Sequence, residues 1–177
     1  MIPFPEKKYQ VIYADPPWSY LDGAPTRWAA ASRYYPTMTL DAIKALPVER
    51  ISDQDCYLFL WVTFPLLPQA LEVFQAWGFQ YKTVGFVWVK TTKHGRLFWG
   101  LGNRTRSNSE LCLMGIRGRP PRVSRSVHSV VMSPVREHSR KPDEVRQRIV
   151  QLAGDVPRIE LFAREKPSGW DVWGLEV

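Results

Sequence analysis

Asp15-Pro16-Pro17-Trp18 is the segment of this chain whose residue types can do chemistry together. Asp15 supplies a hydrogen-bond acceptor, and the two prolines, with φ locked at about −65°, supply carbonyls of fixed direction. Trp18 adds a flat face on which a base can stack. Those parts suit methylation of an exocyclic amino group such as N6 of adenine. The lone pair of that nitrogen is delocalised into the ring, which makes it a poor nucleophile. Acceptors on its two N–H bonds favour pyramidal geometry and return electron density to nitrogen. A sulfonium methyl donor is a strong electrophile, so the protein mainly has to position the reactants and stabilise charge. Standing alone, the same tetrapeptide is also an ordinary strand-terminating turn.

The elements around it read as an α/β fold. Tyr9–Ala14 (YQVIYA) is a short apolar run stopped by the prolines, and predicts a buried strand that delivers Asp15 at its end. Thr39 is placed to cap a helix over Leu40–Leu46, closed by Pro47. Cys56–Val62 is almost continuously apolar, as in a strand covered on both faces. From Pro65 to Trp77 the spacing of Leu67, Ala70, Leu71, Phe74 and Trp77 is helical, and Gly78 follows as a stop. Tyr81–Lys90, Glu110–Ile116, Val127–Val135 and Arg158–Ala163 read as further strands, and Lys141-Pro142 opens a helix running through Ala153 to Gly154. Strands alternating with helices predict a mostly parallel sheet flanked by helices. In such sheets ligands bind at the carboxyl ends of the strands, where Asp15 falls.

The 177 residues predict one domain, 1–177, and 45% hydrophobic with 13% aromatic content excludes a disordered chain. No run of 18 apolar residues stands in the sequence, so no membrane helix is expected, and the start (MIPFPEKK) has no signal-peptide core. Cys56 and Cys112 sit inside apolar runs and read as buried free thiols of a reducing compartment. His138 has no Cys or His partner at ligand spacing, so no metal site is expected, and His94 and His128 read as surface histidines. The formal charge of +7 is unevenly spread. Thr91 to Arg148 holds 13 Lys/Arg against four acids, a balance of +9, and the remainder holds 11 against 13, or −2. The segment reads either as a solvated face or as a footprint for a phosphate backbone.

KYQVIYADPPWSY, YYPTMTLDAIKALPV, CYLFLWVT, VGFVWVK, NSELCLMGIRG, REHSRKPDEVRQRIVQL and RIELFAR, in this order, resemble the MT-A70 family of adenine-N6 methyltransferases from about Tyr9 to Glu176. The resemblance implies a Rossmann-like fold with permuted motif order, S-adenosyl-L-methionine as cofactor, and Asp15, Pro16, Pro17 and Trp18 as catalytic motif. Tyr35, in YPTM, matches a tyrosine lining the target-adenine pocket; its alternative is an aromatic packed on the core. Trp61 and Trp88 read as core aromatics. On the cofactor, the resemblance places Asp15, Pro16, Asn108, Ser109, Arg164, Lys166 and Glu176. Some members carry lysine where Ser109 stands, and Leu175 replaces an asparagine that would hydrogen-bond ribose.

A duplex adenine must leave the stack before its amino group reaches a cofactor. The loops Thr91–Asn108 and Arg117–Ser126 carry Lys93, Arg96, Arg104, Arg106, Arg117, Arg119, Arg122 and Arg125, able to grip phosphates, with Phe98 or Trp99 as a stacking face. The compact length resembles bacterial or phage DNA-modifying members, which favours DNA over RNA and a cytoplasmic setting. Sequence choice then rests on these loops, on a second subunit of a homo- or hetero-oligomer, or is relaxed. The alternatives are an RNA adenine methyltransferase, a non-catalytic nucleic-acid-binding partner subunit, and methylation of a free nucleotide. Neutralising Arg104 and Arg106 together is expected to weaken nucleic-acid binding and flatten its salt dependence; an unchanged salt slope defeats the assignment.

Overall fold

The computed structural model describes residues 3–19, 37–100, 102, 104–137, 140–174 and 177. Among them one sheet of seven strands organises the chain: β1 Tyr9–Ala14, β2 Ser52–Val62, β3 Gln80–Thr91, β4 Ser109–Arg117, β5 Val130–Pro134, β6 Arg158–Leu161 and β7 Asp171–Trp173. Their order across the sheet is β5-β3-β4-β2-β1-β6-β7. The two apolar runs without alternation, β1 and the second half of β2, lie side by side in the middle. There their side chains are buried on both faces. That placement is the reason such runs lack a polar face.

The sheet is mostly parallel, as expected. β1 runs parallel to β2 and β6, β3 to β5, and β6 to β7. The exception is β4, antiparallel to both β2 and β3. Its reversal follows from its connection. The described residues between β3 and β4 form no helix, and a parallel return needs a crossover that such a loop does not provide. The loop expected over Thr91–Asn108 is therefore present, and it turns the chain around at the end of β3.

Helices cover both faces. On one side lie α1 (Leu40–Lys44), α2 (Val48–Ile51) and, after a 3-10 turn at Phe64–Leu66, α3 (Leu67–Ala76). Ile43, Val48, Ile51, Ala70, Val73, Phe74 and Trp77 from this layer pack with Ile12, Ala14, Leu58, Leu60 and Val62 of the sheet. Leu71, expected on the inner stripe of α3, is 40% exposed, and Val73 takes its place. α3 stops where Gly78 adopts φ +77° and Phe79 N–H donates to the Phe74 carbonyl at 2.9 Å. Helix α1 is shorter than read. Thr39 caps it by accepting from Ala42 N–H, and after Pro47 the chain restarts as the unanticipated α2.

The other face is covered by α4 (Asp143–Ala153), whose Val145, Ile149 and Ala153 pack on Val11, Tyr13, Phe59, Trp61, Phe86 and Trp88. Cys56 and Cys112 are both buried and free, on opposite sides of the sheet, and burial raises the Cys56 thiol to about 12. Asp171–Trp173 closes the sheet as edge strand β7. No helix among the described residues is long and apolar enough to cross a membrane.

Helix α3 approaches β4 so closely that Gly115 has no room for a side chain. A Cβ there would lie 2.6 Å from two ring carbons of Phe74 and 2.8 Å from the Gln80 carbonyl oxygen. Gly115→Ala is expected to destabilise the fold by about 1–3 kcal/mol, read as a lowered denaturant midpoint.

Candidate active site

Strand register brings the chemistry to one edge. Ala14 stands opposite Leu60 of β2 and Leu161 of β6, so Asp15 leaves the sheet beside the ends of both neighbours. Val62 pairs with Leu111, which sets the start of the antiparallel β4, with Asn108 and Ser109, at the same edge. The start of α4 arrives there too, after β5. The chain leaves β1 for the α1–α3 face and reaches β6 from α4 on the opposite face. Between β1 and β6 the connections therefore diverge, which opens the crevice where doubly wound folds bind ligands. Arg164 follows β6 by three residues, and Lys166 lies further along the same exposed loop.

The tetrapeptide is held rather than free. Pro16 is buried, and its carbonyl accepts from Trp18 N–H at 2.8 Å, while that of Pro17 accepts from Met38 N–H at 2.8 Å. Each proline carbonyl keeps one lone pair for another donor. The Trp18 indole is half-buried against the core and donates through Nε1 to the Trp61 carbonyl at 3.0 Å. Trp61 and Trp88 are buried, as read. Trp61 Nε1 donates to the Tyr13 hydroxyl at 2.6 Å, and Trp88 Nε1 to the Ser133 carbonyl at 2.9 Å.

Asp15 is one end of a row of alternating charges that the sequence reading did not assemble. Lys141 Nζ donates to Asp15 Oδ2 at 2.8 Å and lies 3.3 Å from Glu110 Oε2. Glu110 Oε1 accepts in turn from Lys90 Nζ at 2.8 Å. The ammonium groups of Lys141 and Lys90 also sit 5.6 Å and 5.0 Å from the centres of the Trp61 and Trp88 rings. Burial alone pushes the Glu110 carboxyl up, but the two ammonium groups outweigh it and hold it below the usual carboxylate range. Burial likewise opposes the charge on Lys141, and Asp15 with Glu110 overcomes it, raising the ammonium above its ordinary value. The signal available in the sequence was an acid and a lysine inside apolar runs, Glu110 in SELCLMGI and Lys90 in VGFVWVK. Such residues need partners when buried.

A second ion cluster backs the crevice. Arg146 grips Glu160 of β6 with two bonds, at 2.7 and 2.9 Å, and also reaches Asp143 and Glu165. Arg140 pairs with Glu165, and Arg136 with Asp143. Burial still raises the Glu160 carboxyl, with Arg146 only partly offsetting it. Between α4 and the loop before β7 lies a cavity of about 580 Å³, lined by Lys166, Arg158 and Trp170 among others. The chain leaves β6 through Phe162 at φ +61°, a left-handed conformation that a bulky non-glycine residue adopts only under constraint.

The basic segment divides. Lys93, Arg96, Arg104 and Arg106 are exposed on the β3–β4 loop, at the same edge as Asp15. Arg106 lies over the Trp99 ring at 4.8 Å, and Trp99 is 71% exposed. Arg119, Arg122 and Arg125 are exposed as well, but they do not flank the same pocket. Arg117 ends β4 opposite Cys56, at the far edge, where it pairs with Glu49. An antiparallel strand of nine residues puts its two ends about 30 Å apart. Arg148 is spent on the carbonyls of His128 and Val130. Tyr35, Glu176, Leu175 and His138 lie outside the described residues. Among the described residues no group of three His, Cys, Asp or Glu could hold a metal ion.

The MT-A70 family profile matches residues 9–176. A Mycoplasma protein named type II methyltransferase M.MunI is 37% identical, over 98% of this chain and 79% of its own length. A Medicago truncatula protein, a putative N(6)-adenosine-methyltransferase, is 35% identical over 96% of this chain. The human N(6)-adenosine-methyltransferase catalytic subunit METTL3 is 32% identical over 89% of it. This chain spans only 26% of each of those two proteins. With the tetrapeptide at the end of β1 and a profile match running almost end to end, the chain belongs to the MT-A70 family.

Proposed function

We propose that this MT-A70 methyltransferase transfers a methyl group from S-adenosyl-L-methionine to N6 of adenine in DNA. The observation that carries the reading is the position of Asp15. An intact Asp-Pro-Pro-Trp ends β1 at the crevice beside β6, on the same edge as an exposed basic loop with a stacking tryptophan.

The donor set there fits the cofactor. A carboxylate and proline carbonyls with a spare lone pair suit its positive charge, Asn108 and Ser109 stand at the same edge, and in this reading Arg164, three residues after β6, serves the ribose oxygens. Glu176 and Lys166 complete the proposed cofactor contacts. Bound there, the cofactor supplies an electrophilic methyl group on a positively charged sulfur. The protein's part is positional. Asp15 and a proline carbonyl accept from the two N–H bonds of the adenine amino group, making its lone pair available, and Asp15 takes the proton that N6 releases. Tyr35 and Trp18 border the base. Lys93, Arg96, Arg104 and Arg106 hold phosphates, while Trp99, braced by Arg106, stacks on a base next to the displaced adenine. Arg119, Arg122 and Arg125, at the far edge, serve a more distant stretch of backbone.

DNA is favoured because the bacterial type II methyltransferase is 37% identical to this chain, against 32% for the human adenosine methyltransferase subunit. Such an enzyme meets its substrate in the cytoplasm of a bacterium or a phage-infected host. The test is incubation with labelled cofactor and separate DNA and RNA pools, followed by nucleoside analysis. Label is expected as N6-methyladenine in DNA; label in RNA alone moves the substrate to RNA, and label in neither defeats the reading. Asp15→Ala is expected to lower the rate by at least about 10²-fold with the fold intact, and full activity sinks the mechanism.

A further inference from the structure

We infer that the hairpin beyond the end of β3 is a wedge for double-stranded DNA, with Leu97 filling the space that the target adenine vacates when it leaves the stack. The inference rests on the function proposed above and deepens it, because it names the duplex as the form of DNA acted on. A paired adenine is displaced at the cost of its stacking and pairing, and an apolar side chain pushed into the gap offsets part of that cost. Such a side chain has to be exposed, stiffly mounted, flanked by positive charge and level with the duplex. Leu97 meets each requirement.

The mount is built by backbone hydrogen bonds. Gly95 N–H donates to the Thr92 carbonyl at 2.9 Å, and Thr92 N–H to the Arg96 carbonyl at 2.7 Å. Gly95 has φ +77°, so Lys93-His94-Gly95 is a three-residue hairpin loop that ends in a glycine bulge. The Thr92 hydroxyl oxygen accepts from the N–H groups of His94 and Arg96, both at 3.3 Å. Phe98 N–H donates to the Lys90 carbonyl at 2.9 Å, and Lys90 N–H to the Asn108 carbonyl at 2.8 Å. The returning arm of the hairpin therefore takes the line of β4 beyond the point where β4 starts. From the other side Val135 N–H donates to the carbonyl of the buried Thr91 at 3.0 Å. Past Trp99 the chain is pinned again, since a Cβ on Gly100 would overlap the Ser107 carbonyl.

On this mount Leu97 and Trp99 are 60% and 71% exposed, while Phe98 between them is half-buried, the alternation of a strand edge. Single exposed apolar residues are ordinary, but here two large ones share a stiff hairpin with Lys93 and Arg96, on the loop that also exposes Arg104 and Arg106. That charge argues against a second copy of this chain as the occupant, since a two-fold contact sets the same cations against each other. A polyanion with stacked apolar bases is complementary to it. The height fits as well. Ala14 is level with Leu60, Leu113 and Val84 across the sheet, whereas Leu97 pairs with Thr91, seven residues further along β3. The hairpin therefore starts about 20 Å beyond the level of Ala14, on a line two strand spacings, about 10 Å, from β1. A duplex resting on this edge sends only the displaced nucleotide down to Asp15, and the gap left in the stack lies at the height of the hairpin.

The experiment measures single-turnover methyl transfer by wild type, Leu97→Ala and Leu97→Met on three forms of one DNA that the wild type methylates. These are the matched duplex, the same duplex with adenine opposite the target adenine, and the target strand alone. Leu97→Ala is expected to be slowed about 30-fold on the matched duplex. On the strand alone it should stay within about threefold of wild type, which also shows that the variant is folded. The mismatched adenine is already weakly held, so that duplex should return about tenfold of the loss. Leu97→Met keeps the apolar volume and should match wild type on the matched duplex within about threefold. Equal losses on duplex and strand, an undiminished duplex rate in Leu97→Ala, a loss as large in Leu97→Met, no rescue by the mismatch, or a wild type active only on the strand alone each overturns the inference and leaves the methyltransferase reading in place. A dimeric wild type that Leu97→Ala makes monomeric overturns it too, and assigns the residue to a contact between copies. A wild type that labels no DNA overturns the functional reading itself, and the inference falls with it.

Discussion

A buried lysine ammonium must find negative charge, and this requirement ties the structure together at its working edge. Lys141 approaches from the start of α4, Asp15 from the end of β1 and Glu110 from the start of β4, with Lys90 at the end of β3 closing the row. Removing any one member leaves a desolvated charge facing the wrong partner, which costs more than the pair gains by forming. The row is therefore better understood as a registration device than as a source of stability. It can be satisfied only when four segments far apart in sequence stop at one level.

The same edge depends on the direction of β4. Had β4 run parallel to its neighbours, Glu110 would lie at the opposite end of the sheet from Asp15. The loop connection from β3 reverses the chain, so Ser109 and Glu110 meet the carboxyl ends of β1 and β2. The reversal has a second effect on the charge distribution. It carries Arg117 and Arg119 to the far edge, and among the described residues of the basic segment leaves the β3–β4 loop presenting exposed positive charge beside the crevice. Much of the remaining surplus is consumed internally: Arg136, Arg140 and Arg146 are paired with carboxylates around α4. The basic segment of the sequence is thus three populations with three roles, and its net charge overstates what is available for phosphate.

The elements themselves were largely legible. The continuous apolar run of β1, the helical stripe of α3 ended by Gly78, and Pro142 at the start of α4 are local signals, because they reflect backbone geometry and burial over a single element. Errors stayed local too. Leu71 faces outward since Val73 and Phe74 already fill the inner stripe, and the three-residue β7 was too short to show a period. The site was half legible. Asp15 through Trp18 stand contiguous in the chain and announce themselves by type, whereas Lys141 and Glu110 each look like ordinary members of a helix start and a strand.

By itself, then, the sequence determined the chemistry on offer: a proline-locked carboxylate after a buried strand, an order of motifs that places the chain in its family, and a surplus of positive charge in one stretch. Tertiary structure decided which of those residues meet. Strand direction and register are set by pairings between segments a hundred residues apart, and no local pattern encodes them. They put Lys141 on Asp15, set half the basic loops at the wrong end of the sheet for the crevice, and turned a stretch of net charge into one exposed strip beside it.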